Sequence, residues 1–574
     1  YLAGDFNDWQ CPGHPAPNPA RFLPMELHRG YGGRPNLWLR RVPEASPGQE
    51  YAFFVQGGVA VDGDLPPERY QVDPYARVYG RDRGRYNAAI VDPSGYAWGD
   101  AGWRTPDPRD LIIYEMSVYG FTQGAPGVPG AEQGTFAGVA RQIERGYFRD
   151  LGVTALAFMP TSEAPSFQGP RALGYDPCGF MTVERDFGTP DDLRRLVDTA
   201  HRHGLAVIMD AVFNHTANTF NPLWGAIDDG TPGGFYFSGG TPWGNRVATE
   251  KPEVQNMLID ACKLFLHEYH VDGFRFDATH SSWMDHGFLR RLASEIKDRG
   301  FKPDCLLIAE NLPNEADLNL EGYNGFAQWC DPFHDKLKAL LREGIYQDWV
   351  RDDPEHLGRI FYFCRDFYAA HTNNVVNFVE SHDENSVPFE AATNPAAAAG
   401  PLDRSRKARL GLFAVLTALG QPMLYMGQEF GVDRPRNLVI FDWPGNPEED
   451  PFHAWTRKLI HLRRSHPALR ISGYNPAAEG KFTWLVGPWL DAARGGGRKA
   501  IGWRAEAADG DGAAVLINFS REPIRADLDL GEGRWRLAAD LERAGEEGWA
   551  EYEVAGRLEG FEIPPESGLL WLRA

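Results

Sequence analysis

The sequence has little that would support a disulfide framework, a membrane span or a nucleotide site. Its 574 residues include only six cysteines, and no two of them form a CxxC pair. We therefore expect a reduced, cytoplasmic protein. No stretch approaches the roughly 18 apolar residues that a membrane-spanning helix needs. A P-loop, a GxGxxG motif after a strand and a GxSxG turn are also missing, so nucleotide cofactors and serine hydrolysis have no support.

Positive charge is also scarce. The chain has 58 Lys and Arg residues against 79 Asp and Glu residues, a net charge of -21. Such a surface repels nucleic acid and anionic membranes and favours a neutral partner such as a polysaccharide, although it also simply keeps a large protein soluble. No signal peptide is seen. Because the chain opens at Tyr1 without an initiating Met, export through a preceding signal stays open as an alternative to a cytoplasmic location.

The length and the pattern of apolar residues predict three domains. Residues 1–108 hold short extended runs among Gly, Pro and Trp and predict an N-terminal β-sandwich. Residues 109–470 alternate apolar strands with helices, which predicts an α/β catalytic domain built as a (β/α)₈ TIM barrel. A Gly-, Thr- and Trp-rich stretch around 216–245 predicts a loop insertion over the barrel mouth. Residues 471–574 return to strand-like runs and predict a C-terminal β-sandwich.

Seven of the eight barrel strands can be placed from the sequence, and the sixth is expected between Gly322 and Tyr362. The helices between them carry clear end signals. The run TPDDLRRLVDTAHRHG begins with a Thr cap, a Pro and acidic residues at Thr189–Asp192, and it ends in basic residues and Gly204. This order matches the preferences of helix termini.

Two of the predicted strands end abruptly in a carboxylate. GFRFDATH places Arg275 two residues before Asp277, and LLIAEN places Glu310 after an apolar run. Because strand side chains repeat with period two, Arg275 and Asp277 point to the same side. A neighbouring cation keeps an aspartate ionised, as a nucleophile requires, whereas an apolar setting suits Glu310 as a proton donor. The alternative is a pair of structural ion pairs at strand ends.

The ends of adjacent barrel strands can bring these two carboxylates close enough for retaining glycoside chemistry, which needs them about 5 Å apart. A third carboxylate follows the predicted seventh strand, where FVESHDEN contains His382 and Asp383. In a sugar site these two residues would grip hydroxyl groups as positive charge develops on the ring. The alternative is a helix cap, for which Ser, Asp and Asn are well suited.

The predicted third strand and its neighbourhood supply the remaining candidates. In DAVFNH, His215 is expected to hydrogen-bond the sugar, with Asp210 and Asn214 supporting the site. A lone histidine there could equally be a satisfied buried residue. Tyr175, in LGYDPCGF, is a candidate for stacking on a sugar face, and its alternative role is core packing. The HEYH run at 267–270 lacks further ligands, so a metal site is not expected.

Four of these segments resemble, in the correct order, the signature regions of the α-amylase family, glycoside hydrolase family 13. They are DAVFNH, GFRFDATH, LLIAEN and FVESHDEN. The resemblance implies that Asp277 is the nucleophile, Glu310 the acid/base and Asp383 the transition-state stabiliser. It also implies substrate contacts for the residues Tyr175, His215, Arg275 and His382. No organic cofactor is implied. Some family members bind structural Ca²⁺ near the position of Asn214, but the sequence shows no full set of hard oxygen ligands for it.

The opening YLAGDFNDW is similar to the glycogen-binding type of N-terminal module. The sequence is a mixture. ESHDE, RDFGTPDDLRRLVDTAH and MGQEF resemble 1,4-α-glucan branching enzymes, whereas Asn311 after the acid/base and the phrase LIIYEMSVYGFT are more like trehalohydrolases. The first hypothesis is therefore a branching enzyme that cleaves α-1,4 and forms α-1,6 linkages in α-1,4-glucan or maltooligosaccharides. The alternatives are a hydrolase, either a trehalohydrolase or an α-amylase, and more remotely a non-catalytic glucan-binding protein. The sequence leaves the oligomeric state open.

Overall fold

The protein is described from a computed structural model. The residues it describes are 1–30, 37–56, 68–80, 87–165, 173–218, 221–227, 229–319, 325–394, 401–436, 438 and 440–574. Within these ranges, no helix is both long and apolar enough to cross a bilayer. The strands form a closed central barrel, with antiparallel sheets built from the residues before and after it.

The N-terminal domain is a small antiparallel β structure. Its five-stranded sheet comprises Leu2–Gly4, Glu50–Gln56, Glu68–Gln71, Tyr79–Gly80 and Asn87–Ala89. A separate two-stranded sheet joins Glu26–His28 to Leu37–Leu39. Alternate side chains of the second strand, Ala52 and Phe54, pack with Ala3, Trp9 and Cys11 in a compact core. The N-terminal residues thus form antiparallel sheets, and the glycogen-binding type of this domain stays a prediction.

Eight parallel strands close the central barrel in chain order. Barrel strands 1 to 8 are Ile113–Met116, Ala155–Phe158, Ala206–Ala211, Gly273–Phe276, Leu306–Ala309, Ala327–Trp329, Val375–Asn377 and Gln421–Tyr425. Strand 6 lies inside the window that the sequence left for it. The TIM barrel prediction is confirmed.

Helices cover the outside of the barrel. The helices of eight or more residues are Phe136–Glu144, Pro190–Arg202, Pro252–Glu268, His286–Ala293, Asp331–Arg342, Pro401–Thr417 and Pro451–Ser465. Shorter helices are Val118–Thr122, Tyr147–Leu151, Leu357–Phe361, Arg365–Tyr368 and Val387–Thr393. The helix Pro190–Arg202 begins as its sequence predicts, because the Thr189 hydroxyl accepts a hydrogen bond from the Asp192 backbone N–H at 3.2 Å. The Asp192 carboxylate in turn accepts one from the Thr189 N–H at 2.8 Å.

The period-two alternation of the barrel strands decides which side chains reach the functional end. Ile208, Ile308 and Ile113 belong to the apolar core inside the barrel. The residue two positions further along each strand therefore also points inward, at the carboxyl end of the barrel. Those residues are Asp210, Glu310 and Glu115. Asp210 pairs in register with Arg275, and Arg275 pairs with Ile308.

The insertion after barrel strand 3 is more ordered than the loop that the sequence predicts. A three-stranded antiparallel sheet joins His215–Thr216, Asn245–Val247 and Phe237–Gly240. The backbone N–H of Val247 also donates to the carbonyl of Asn214 at 3.0 Å. This pairing attaches the insertion directly to the segment that carries the predicted substrate contact His215.

The C-terminal domain is an antiparallel sheet domain, with its six strands joined in one ladder rather than in two separate sheets. The strands are Phe482–Val486, Ala500–Glu506, Gly512–Asn518, Ile524–Ala539, Ala550–Ile563 and Ser567–Arg573. Along Gly512–Asn518, Ala514 and Leu516 face the domain's own core. Val515 and Ile517 join the large core shared with the barrel. Both faces of this strand are therefore buried.

Trp103 and Thr105, which precede barrel strand 1, are hydrogen-bonded to the amino end of the barrel. The buried carboxylate of Asp272, just before strand 4, accepts hydrogen bonds from the Trp103 indole at 2.8 Å and the Thr105 hydroxyl at 2.7 Å. It also lies 3.0 Å from Nε2 of His201, whose ring stacks on Trp103. Because the cluster is far from the carboxyl end of the strands, we assign it to stability.

Candidate active site

The carboxyl end of the barrel brings the predicted site residues together. The buried members are Asp210, Asn214, His215, Arg275, Asp277, Glu310 and His382. Tyr175 is half-buried, and the Asp383 side chain is 51% exposed. The contacts among these side chains make them one connected polar cluster in an otherwise apolar barrel.

Arg275 is the centre of this cluster. Its Nη1 atom donates to Oδ2 of Asp210 at 2.6 Å and to Oδ1 of Asp277 at 3.0 Å. Its Nη2 atom lies 2.6 Å from Oε2 of Glu310. The guanidinium lies over the ring of Trp329 at 4.4 Å from the ring centre. One cation therefore touches three carboxylates, and the contact between Arg275 and Asp277 expected from their spacing is present.

Asp277 is held by two donors. Besides Arg275, the Asn214 amide donates from Nδ2 to Oδ2 of Asp277 at 3.1 Å. The Asp277 backbone N–H donates to the carbonyl of Ala211 at 3.1 Å, which continues the ladder between strands 3 and 4. Both carboxylate oxygens therefore accept hydrogen bonds from donors fixed in the barrel. This is the environment that a carboxylate nucleophile requires.

Glu310 stands in a different environment. Burial raises the pKa of Glu310 to about 8, opposed by the Arg275 charge and reinforced by the negative charges of Asp277 and Asp383. The backbone N–H of Ala278 donates to its Oε2 atom at 2.9 Å. A carboxyl that stays protonated near neutral pH can donate a proton to a leaving group. The two carboxylates thus lie in different environments, and their roles as nucleophile and acid/base stay predictions.

His382 links Asp383 to a residue that sequence reasoning missed. Nδ1 of His382 lies 2.7 Å from Oε1 of Glu115, and its backbone N–H donates to Oε2 of the same residue at 3.2 Å. Nε2 of His382 lies 3.3 Å from Oδ2 of Asp383. Burial alone would lower the pKa of His382, but Glu115 and then Asp383 raise it well above its usual value.

The charged His382 in turn acts on Asp383. Burial alone would raise the pKa of Asp383, but His382 and, more weakly, Arg275 hold it well below its usual range. The carboxylate of Asp383 is therefore in its charged form at neutral pH. Glu115 could have been found in the sequence, because it is a single carboxylate in the apolar run LIIYEM. It lies two residues after Ile113 on the same strand, so its side chain points inward as that of Ile113 does.

Tyr175 is tied into the same network. Its hydroxyl donates to Oδ2 of Asp210 at 2.6 Å, and its ring stacks on His382 at 4.7 Å with an interplanar angle of 14°. Burial raises the pKa of Tyr175 well above its usual value, and the charge of Asp210 adds to this. His382 thus covers one face of the Tyr175 ring. Stacking of a sugar on Tyr175 stays a prediction, and it could involve only the part of the ring that His382 does not cover.

His215 has a free hydrogen-bonding atom. Its Nδ1 atom lies 2.5 Å from the amide oxygen of Asn214, while its buried Nε2 atom has no hydrogen-bond partner among the described residues. Burial lowers the pKa of His215, which favours the neutral ring. An orphaned buried polar atom is costly unless a ligand satisfies it. This supports a substrate hydroxyl as the partner of His215 more than a purely structural role.

Two tryptophans that sequence reasoning missed extend the site outward. Trp243 lies 5.9 Å from His215 and 5.7 Å from Trp283, measured between ring centres, and it is 49% exposed. Trp243 comes from the insertion, whereas Trp283 follows the segment that carries Asp277. Exposed aromatic rings beside a polar cluster offer apolar surface to a sugar ring. No local sequence signal pairs these residues, because they are brought together by the fold of the insertion.

The residues around Asn214 do not fit a calcium ion. Its amide oxygen faces Nδ1 of His215 and its amide nitrogen donates to Asp277, so the side chain is engaged on both sides. Within the described ranges, no group of three or more His, Cys, Asp or Glu side chains is placed to hold a metal. We therefore derive no step through a metal ion.

A family model described as the catalytic domain of α-amylase matches residues 121–229. This range includes the predicted residues from Tyr175 to His215 and ends before the strand that carries Asp277. The match therefore covers barrel strands 2 and 3 and part of the site described above.

Three named relatives cover larger parts of the chain. A malto-oligosyltrehalose trehalohydrolase from Saccharolobus solfataricus is 29% identical over 68% of this chain and 67% of its own length. A glycogen debranching enzyme from Serratia proteamaculans is 26% identical over 90% of this chain and 89% of its length. A 1,4-α-glucan branching enzyme from Xanthomonas oryzae pv. oryzae is 29% identical over 93% of this chain and 72% of its length.

Solved structures share the fold at lower sequence identity. A pullulanase from Bacillus acidopullulyticus has a TM-score of 0.76 at 20% identity, covering 96% of this chain and 70% of that one. The pullulanase SAP of Group B Streptococcus, solved in complex with maltotetraose, has a TM-score of 0.76 at 20% identity, covering 97% and 83%. Together, the family-model match, the relatives and the barrel are consistent with membership of the α-amylase family, glycoside hydrolase family 13.

Proposed function

We propose that the protein is a retaining enzyme that acts on α-1,4-glucan or maltooligosaccharides. The observation that carries the proposal is the contact of one guanidinium, Arg275, with two carboxylates in different environments. Asp277 is held by charged and amide donors, whereas burial raises the pKa of Glu310 to about 8. A retaining mechanism needs such a pair, one carboxylate to attack and one carboxylic acid to protonate.

In the first step, Asp277 attacks the anomeric carbon while Glu310 gives its proton to the departing glycosidic oxygen. A covalent glucosyl ester of Asp277 forms, and the sugar on the leaving side departs with a free hydroxyl. In the second step, the ionised Glu310 takes a proton from the acceptor hydroxyl, whose oxygen attacks the anomeric carbon and releases Asp277. Asp383 and His382 bind sugar hydroxyls as the ring becomes positively charged, and Nε2 of His215 supplies a further contact.

The identity of the acceptor decides the finer function. Our first proposal is that a sugar 6-hydroxyl accepts the chain, which makes the protein a 1,4-α-glucan branching enzyme. Its support is the similarity to a branching enzyme along 93% of this chain and the branching-like motifs ESHDE and MGQEF. The protein would then differ from a hydrolase in how well the acceptor site excludes water rather than in its catalytic residues.

The second candidate is hydrolysis, with water as the acceptor. Its support is the similarity to a trehalohydrolase and to a glycogen debranching enzyme, the latter covering 90% of this chain and 89% of that enzyme. Asn311, which follows the acid/base, favours the same candidate in its resemblance to trehalohydrolases. Both candidates use the same Asp277, Glu310 and Asp383.

The test is to incubate the protein with amylose and to follow iodine staining and reducing ends together. Branching predicts falling iodine colour with almost no new reducing ends. Rising reducing ends would reject branching in favour of hydrolysis. Trehalose-capped maltooligosaccharides and branched glycogen then separate trehalohydrolase from debranching activity. Asp277→Asn and Glu310→Gln are the matched inactive controls, and full activity in either would reject the mechanism.

A further inference from the structure

A buried arginine donates hydrogen bonds to both sides of the turn that carries Asp383. Nη2 of Arg434 donates to the carbonyl of Ser381 at 3.2 Å and to the carbonyl of Glu384 at 3.2 Å. These carbonyls lie on either side of His382 and Asp383 in the chain. Arg434 belongs to the segment after barrel strand 8, so it joins that segment to the turn after strand 7.

The position of Asp383 depends on its backbone turn more than the positions of Asp277 and Glu310 depend on the backbone around them. Asp277 and Glu310 are buried and directly contacted by Arg275. The side chain of Asp383 is half-exposed, and its ion-pair partner is His382 at 3.3 Å. Its position is therefore set mainly by the backbone that carries it.

Arg434 is itself held on several sides. It is 4% exposed, and its guanidinium lies 4.3 Å from the ring centre of Tyr425, at the end of barrel strand 8. Its backbone N–H donates to the Ser386 hydroxyl at 2.8 Å, and the Ser386 N–H donates back to the Arg434 carbonyl at 2.9 Å. The buried ammonium of Lys338 donates to the carbonyl of Asn385 on the same turn. A fixed donor of this kind can hold a backbone turn in one position.

We propose that Arg434 is a positioning residue for the reaction, which places Asp383 against the sugar ring in the transition state. This inference rests on the proposed function. Because a displacement of about 1 Å from the productive geometry can cost roughly 100-fold in rate, we expect Arg434→Gln to lower kcat by about that factor. KM should change little, since the loss concerns the transition state more than the bound ground state. Arg434→Lys keeps the charge but cannot reproduce the forked geometry, so it should restore only part of the rate.

A second buried arginine, Arg463 in the helix Pro451–Ser465, provides the matched control. Arg463 is also buried, and it donates to the carbonyls of Leu416 at 2.7 Å and Gly420 at 2.7 Å. Gly420 precedes barrel strand 8, so Arg463 acts at the opposite end of that strand from Tyr425 and Arg434. Arg463→Gln should lower stability through lost hydrogen bonds, while the folded molecules keep the wild-type kcat.

The experiment compares kcat and KM of these variants on a maltooligosaccharide and on α-glucosyl fluoride, after circular dichroism has verified that each is folded. Fluoride needs little protonation to leave, so Glu310→Gln should regain much of its first-step rate on this substrate. Arg434→Gln should stay slow on both substrates, because charge develops on the sugar ring with either leaving group. A merely structural loss would lower kcat only in proportion to the folded fraction, which the circular dichroism measures.

Two results would overturn the inference. A folded Arg434→Gln with the wild-type kcat would refute it while leaving the proposed function intact. If Arg434→Gln does not fold, Arg434→Lys serves in its place, and a full wild-type rate in that variant would also refute it. Wild-type protein that is inactive on both substrates would overturn the proposed function, and this inference with it.

Discussion

Replacing Glu310 by Gln is expected to make the protein more stable at neutral pH while it removes the acid/base. Burial first, then the charges of Asp277 and Asp383, raises the pKa of Glu310 from 4.5 to about 8 despite the opposing Arg275 charge. The folded state therefore binds a proton that the unfolded chain releases between these two pH values. Folding stability falls with rising pH across this window and is regained only below the unfolded pKa.

The magnitude follows from the size of the shift. Each unit of pKa difference corresponds to about 1.4 kcal/mol, so at pH 7 the ionisable Glu310 costs the folded state roughly 3 kcal/mol. Gln keeps the shape of the protonated carboxyl and has no such cost. The stability gain of Glu310→Gln over wild type should be near zero at pH 4, grow by about 1.4 kcal/mol per pH unit above 4.5, and level off above about 8.

The assay is urea unfolding of both proteins at pH 4, 5, 6, 7 and 8, followed by tryptophan fluorescence. Glu132→Gln is the control, because the Arg141 hydrogen bond lowers the pKa of Glu132 and its removal gives no gain in this window. A gain that does not change with pH, or a variant less stable than wild type at pH 7, would refute the reasoning about the Glu310 environment.

Three further predictions concern activity and stability. The kcat/KM of the wild type should fall above about pH 8, as Glu310 ionises, and a profile that stays flat to pH 10 would contradict its role. Asp272→Asn should lower the free energy of unfolding in urea by roughly 3 kcal/mol, because the buried carboxylate that faces His201 is lost. The hydrogen bonds from His201 and the other donors outweigh burial and lower the pKa of Asp272. The stability that the Asp272 carboxylate contributes is therefore present above about pH 4 and lost at lower pH. An equally large loss of stability at pH 2 in Asp272→Asn would contradict this reasoning. Thr189→Ala should lower stability by about 1 kcal/mol through loss of the helix cap, with Ser94→Ala as an exposed control.

Much of the fold was predictable because single segments carry the signals. The apolar runs of barrel strands 1 to 5 and the cap at Thr189 act locally, and the structure places them where the sequence predicts. Strand 6, Ala327–Trp329, has three residues, too few to show a period. Its identity depends on pairing with strands 5 and 7, which a reading of local pattern does not include.

The positions of three candidate site residues were predictable for a related reason. Asp277, Glu310 and Asp210 each follow an inward-facing residue of a regular strand, so the strand period fixes their direction. Glu115 was missed although it follows the same rule, because its role appears only through contact with His382, which is distant in the chain. Trp243 and Arg434 lie outside the regular strands and helices. No strand or helix period therefore relates their positions in the sequence to those of Asp277 or Asp383.

The central claim is that Asp277 forms a covalent bond to the sugar. The most direct test is to treat the Glu310→Gln variant with 5-fluoro-α-glucosyl fluoride, which slows breakdown of the intermediate, and to analyse its peptides by mass spectrometry. We expect a mass increase of one fluoroglucosyl group on the peptide that contains Asp277, and no label when Asp277 is also replaced by Asn. A label on another residue, or an active enzyme that never becomes labelled, would contradict it.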